Sequence, residues 1–217
     1  MQVSWMSSKF YRTCEWVWRV AYVNILWLFA TLAGLVILGI VPATVAMFAV
    51  IRKWLIKDSD IPIFMTFISA FKREFVKSNL LALIFVAVGY VIYFNYTYLA
   101  TIDGFGHMIL LIGLLFAAFI YVIALLFIFP VFVHFDLKLL QYIKTAIIIG
   151  IVNPLALITL AISFVLLFFL FYYMPGLMPF FGPCLVGLVT MWCGSMAIER
   201  VERKQGMLLS KEEDNKQ

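Results

Sequence analysis

Between Val20 and Ile51 the chain carries 32 consecutive residues without a charge, interrupted only by Gly34, Gly39 and Pro42. A helix needs about 20 apolar residues to cross roughly 30 Å of hydrocarbon, so this stretch is too long for one crossing and short for two. Similar uncharged runs follow at 79–101, 108–133, 145–173 and 178–198. With 65% hydrophobic residues, 12% charged residues and a mean hydropathy of +1.08, the chain has half the charge of a soluble domain, whose charged fraction is about 25%. The apolar runs are continuous rather than alternating, which points to helices, the simplest way to satisfy backbone groups in lipid. The expected fold is all-α, a polytopic bundle of about six membrane helices.

Proline decides how the first run divides. It is poorly tolerated inside a helix and well tolerated in the first turn. The sequence therefore predicts helices over 20–38 and 42–56, with Pro42 opening a short return arm. Further membrane helices are expected at 79–101, 108–133, 145–173, with a break at Asn153-Pro154, and 178–198. Interfacial helices are expected at 5–19, 61–77 and 136–144. Residues 1–204 then form one transmembrane domain, and 205–217 a soluble cytoplasmic tail.

The segment 61–77 is the clearest amphipathic stretch. Phe64, Phe67, Ile68, Phe71 and Phe75 share one face, and Thr66, Ser69, Arg73 and Lys77 the other. Asp60 and Pro62 supply a start signal. Such a helix suits the inner headgroup layer or a docking partner.

Charge sets the orientation. The net charge of +5 is dispersed between the apolar runs rather than gathered in a stripe, so membrane topology explains it and nucleic acid does not. The connections near 39–42, 102–107 and 174–177 lack Lys and Arg. Six crossings with both termini in the cytoplasm place all 16 basic residues inside.

The uncharged runs contain no buried carboxylate for coupled transport. Asn24, Thr44, Asn95 and Asn153 remain as neutral polar groups that could line a path, though helix-to-helix hydrogen bonding is the plainer use of such residues. The cysteines Cys14, Cys184 and Cys193 have no CxxC spacing. His107 and His134 fall on opposite sides of the membrane, so they cannot share a metal. Phosphate-loop, nucleophile-elbow, zinc-protease and dinucleotide fingerprints are missing, so neither catalysis nor a cofactor is expected.

Three short motifs carry a family resemblance: Asn24-x-x-Trp27, Gly39-x-x-Pro42-Ala43-Thr44 leading to Arg52, and Ser69-Ala70-Phe71-Lys72-Arg73-Glu74-Phe75. With Asn153-Pro154, these make residues 8–204 resemble the YesL-like family of small Gram-positive bacterial membrane proteins of unknown function. The resemblance implies the bacterial plasma membrane and an accessory role beside a carbohydrate importer. It brings no catalytic residues. Candidate partner- or ligand-contacting residues are Asn24, Trp27, Pro42, Thr44, Arg52, Phe71, Lys72, Phe75 and Asn153. The expected partners are membrane lipid and permease subunits of an oligosaccharide importer. The alternative is a small-solute transporter or channel in its own right, and convergence of the neutral polar groups on one cavity would favour it.

Overall fold

The computed structural model describes residues 3–56, 61–99, 101 and 104–214, and side chains within 11–204 of that set. Expectations resting on Lys57, Asp60 and Asp103, and on side chains before residue 11 or after 204, lie outside the described residues. The described residues form seven α-helices: α1 Val3–Ala33, α2 Ile37–Leu55, α3 Ile63–Leu99, α4 Phe105–His134, α5 Leu139–Val152, α6 Pro154–Tyr173 and α7 Met178–Asp214. A short 3-10 turn, Pro175–Leu177, precedes the last. Among the described residues there is no strand. Among the described residues, six helices are long and apolar enough to cross a membrane, all except the 14-residue α5.

Where α1 and α2 meet, the structure corrects the sequence. The turn lies at Gly34–Val36 rather than at Gly39–Pro42, and Pro42 sits inside α2 instead of opening it. The chain reverses early because the end of α1 closes as a two-bond cap. The Val36 amide donates to the Thr31 carbonyl at 2.9 Å and the Leu35 amide to Leu32 at 3.1 Å. This is the pattern in which glycine usually takes the left-handed residue; here Leu35 takes it, with φ 58°. Gly34 and Gly39 serve close approach instead, since a Cβ on either would collide with the backbone of the other. Pro42 removes one amide near the start of α2 and its fixed φ suits a helix. The return arm is therefore 19 residues, about 28 Å long.

Elsewhere the separate interfacial helices merge into longer ones. The expected helices at 61–77 and 79–101 form one 37-residue helix, α3. Lys72, Arg73, Glu74 and Lys77 mark a change of polarity but are good helix formers, so nothing stops the backbone there. The segment expected at 136–144 joins the start of the run at 145 as α5, and the Asn153-Pro154 break is complete, separating α5 from α6. Proline disfavours helical backbone at the residue before it, and Asn153 lies at φ −121°, ψ 69°. Helix α7 continues past residue 198 to Asp214, because Glu199–Lys204 favour helix despite their charge.

The chain forms two compact units, Met1–Phe75 with Leu160–Met191, and Val76–Thr159 with Trp192–Gln217. In the first, α1 and α2 run antiparallel, from the Trp16–Trp54 ring pair (5.5 Å) at one end to Gly34 and Gly39 at the other. Val23, Ala43, Ala46, Val50, Ile51, Phe67 and Cys184 are buried in its core. In the second, α3 and α4 are antiparallel, with the Tyr121 hydroxyl donating to the Phe85 carbonyl at 3.1 Å. Ile123, Phe127, Val131, Tyr142, Ala146 and Ile149 form its core.

Large apolar side chains cover the outside of the spans, as lipid requires. Val86, Val91, Phe94, Ile109, Leu115, Phe116 and Phe119 are exposed on α3 and α4, and Ile162, Leu166 and Phe168 on α6. The helix ends leading into the Lys- and Arg-free connections carry exposed tyrosines: Tyr90, Tyr93, Tyr96 and Tyr98 on α3, and Tyr172 and Tyr173 on α6. Aromatic belts of this kind sit at the headgroup level.

Candidate functional site

Asn24, on α1, is 2% exposed and both ends of its amide are engaged on α7. Its Nδ2 donates to the Pro179 carbonyl at 2.7 Å, and its Oδ1 accepts from the Cys184 amide at 3.3 Å. The reason is covalent. In a regular helix the Pro179 carbonyl would accept from residue 183, which is a proline and has no N–H. Asn24 supplies the missing donor from a neighbouring helix.

One turn along α1, the Trp27 indole donates to Thr44 Oγ1 at 3.0 Å, and Thr44 donates to the Ile40 carbonyl at 2.7 Å. Thr44 thus bonds two helices with one hydroxyl. Pro42 is buried beside it on α2. Three residues of the family motifs, Asn24, Trp27 and Thr44, therefore hold α1 against α2 and α7.

Arg52 and Trp54 lie at the far end of α2. The Arg52 Nε and the Trp54 indole N–H are buried without a hydrogen-bond partner, while Trp54 packs edge-on against Trp16. Nearby on α1, Arg19 is paired with Glu15. That pair lines an open cleft of about 380 Å³ together with Trp18, Tyr22, Phe64 and Met65. None of Asn24, Thr44, Asn95 or Asn153 lines this cleft.

On α3 the apolar face is divided between core and surface. Phe67 and Ala70 are buried, whereas Phe64 is 52% exposed. Phe71 and Phe75 are half-buried and pack edge-to-face at 5.5 Å, beside exposed Lys72. Arg73, also exposed, pairs with Glu74 at 2.6 Å.

Lys77, expected on the polar outer face, turns inward instead. Its ammonium donates to Asp136 at 2.9 Å and to the Tyr142 hydroxyl at 3.0 Å. Tyr142 is 1% exposed; its hydroxyl also donates to the Phe135 carbonyl and accepts from the Leu137 amide, both at 3.1 Å. Its ring stacks on Phe132 at 4.8 Å, with the ammonium 4.9 Å from the ring centre. This cluster fastens the α4–α5 elbow to α3, and sequence reading missed it. The available signal was Asp136 and Tyr142 within one short polar interval. What joins them to Lys77 is 59 to 65 residues of intervening chain.

Asn153 is 5% exposed at the α5–α6 break. Its Nδ2 donates to the Ile149 carbonyl at 3.0 Å, standing in for the amide that left the helix, and to Ala197 on α7 at 3.3 Å. Asn95, Thr97, Thr159 and Thr190 bond the carbonyl four residues back on their own helices. His107 Nδ1 lies 3.1 Å from the Leu99 carbonyl, and His134 Nε2 3.4 Å from Glu202.

Comparison with known proteins agrees with the resemblance. The family described as protein of unknown function, DUF624, matches residues 20–96. The chain is 39% identical to the uncharacterized protein YesV of Bacillus subtilis (strain 168), over 91% of this chain and 95% of the relative. It is 37% identical to the uncharacterized protein YteU of the same organism, over 92% and 89%. For the uncharacterized protein YesL, the identity is 32% over 88% and 90%. No solved structure matches.

Proposed function

This chain belongs to the DUF624 family, and on that premise we propose that it is a non-catalytic protein of the bacterial plasma membrane, an accessory component beside the permease of an oligosaccharide uptake system. Both termini lie in the cytoplasm, the arrangement that keeps every basic residue on the inner side. The observation that carries the reading is the use of the neutral polar groups on the helices. Asn24, Thr44 and Asn153 are engaged in holding helices together, and Asn95 is exposed and bonded to its own helix. A solute path would need such groups free to face water along a cavity. What remains available to a partner is the surface, with Phe71, Lys72 and Phe75 on α3 as the contact expected at the inner face.

The test is affinity purification from native membranes in mild detergent, with identification of what co-purifies. A sugar-importer permease should be recovered, and Phe71→Ala or Phe75→Ala should lower its yield while the variants remain folded. Sugar flux into liposomes containing the purified chain alone would overturn the proposal in favour of a transporter.

A further inference from the structure

Counted from Arg19 and Arg52, the uncharged part of the α1–α2 hairpin is shorter than roughly 30 Å of hydrocarbon. Its two arms are in register, since Trp16 packs on Trp54 and Trp27 bonds Thr44. That register puts Arg19 on α1 at the depth of Arg52 on α2. Above Arg19, α1 has 14 residues to its end at Ala33, about 21 Å. Below its start at Ile37, α2 has 15 residues before Arg52, about 22 Å. The two arms agree, and both fall well short of roughly 30 Å of hydrocarbon.

The tip itself is built for lipid. From Leu32 to Ala43 there is no polar side chain. Leu35 is 79% and Ile37 81% exposed, with Val36, Leu38 and Ile40 exposed between and beyond them. Aqueous turns recruit Gly, Asn, Asp, Ser or Pro for their backbone needs; here Leu35 and Val36 adopt positive φ, 58° and 62°. Much of the backbone of the turn is also satisfied without water. The amides of Gly34, Leu35, Val36, Ile37 and Ile40 all donate to carbonyls within the hairpin at 2.7–3.1 Å. In hydrocarbon an unsatisfied amide costs several kcal/mol, so internal pairing is what an immersed turn requires.

We propose that the α1–α2 hairpin is re-entrant, entering and leaving on the side of Arg19 and Arg52, with its tip at Leu35–Ile37 among the acyl chains of the opposite leaflet. The orientation is unaffected, because both arms start and finish on one side at any depth. The close approach at Gly34 and Gly39 makes the tip narrow enough to fit between chains.

The experiment uses the full chain with Cys14→Ala, Cys184→Ala and Cys193→Ala, carrying Leu35→Cys, Ile37→Cys or, as the reference, Gly176→Cys. Gly176 has open space around it and lies in the Pro175–Leu177 turn. In dioleoyl phosphatidylcholine vesicles opened to reagent from both sides, a charged maleimide should label the tip cysteines at least about a hundredfold more slowly than Gly176→Cys, because hydrocarbon suppresses the thiolate. Labelling of the tip should rise in thinner dilauroyl vesicles. Spin labels on the same cysteines should collide with oxygen more than with a water-soluble nickel chelate. Rapid labelling at both tip positions would overturn the proposal, since the hairpin would then reach water. Weak collision with both oxygen and nickel would overturn it too, because protein rather than lipid would cover the tip.

Discussion

Asn24 and Asn153 are the same residue beside the same kind of fault, and the two units of the fold use them differently. In the first unit Asn24 reaches from α1 to mend a gap that Pro183 opens in α7. In the second, Asn153 stands next to Pro154 and mends its own helix, adding one longer bond to Ala197. A parallel contrast holds for two glycines of α7. A Cβ on Gly187 would meet the end of the Met47 side chain at 2.9 Å and Ile51 at 3.1 Å, whereas one on Gly194 would strike the ring of Pro130. What a residue contributes is set by how far away and how stiff its partner is, and the residue type alone does not say.

The glycine contrast gives the largest expected effect. Gly194→Ala should destabilise by about 3 kcal/mol, because a proline ring held in α4 cannot rotate aside. Gly187→Ala should cost less than about 1 kcal/mol, since Met47 can change rotamer. Thermal midpoints in detergent measure both, and equal losses would break the contrast.

For Asn24→Ala the expected loss is about 2 kcal/mol, as the Pro179 carbonyl and the buried Cys184 amide both lose their partner. The specific signature is rescue. Pro183→Ala restores the amide that bonds the Pro179 carbonyl, so the double variant should recover about 1 kcal/mol relative to Asn24→Ala alone. Strict additivity in that cycle would mean that Asn24 has no part in mending the kink.

Asn153→Ala should cost about 1 kcal/mol, less than Asn24→Ala, because its main bond is local and the helix end can relax. A loss larger than that of Asn24→Ala, measured the same way, would reverse the ranking and place the greater burden on the Ala197 contact.

Much of the architecture is legible in the residue order. Six long apolar helices, the break at Asn153-Pro154 and the family follow from uncharged runs, proline chemistry and short motifs. The boundaries that failed did so for two reasons. Polarity does not punctuate the helix at Lys72–Lys77 or at residue 199, where the backbone is indifferent to charge and continues as helix. The turn at Gly34–Val36 was missed because its left-handed residue is a leucine, so the glycines nearby pointed to the wrong position.

The candidate residues divide in the same way. That Asn24, Trp27 and Thr44 matter could be read from their motifs, and that Asn153 matters from its proline. What they do could not, because a hydrogen bond 155 or 160 residues distant in sequence leaves no local trace. By itself the sequence determined that this chain is a helical membrane protein, since apolar length and charge asymmetry act on each segment independently. Only the tertiary structure decided where Lys77 points, which proline gap Asn24 fills and where the first hairpin turns, because each depends on which parts of the chain lie side by side.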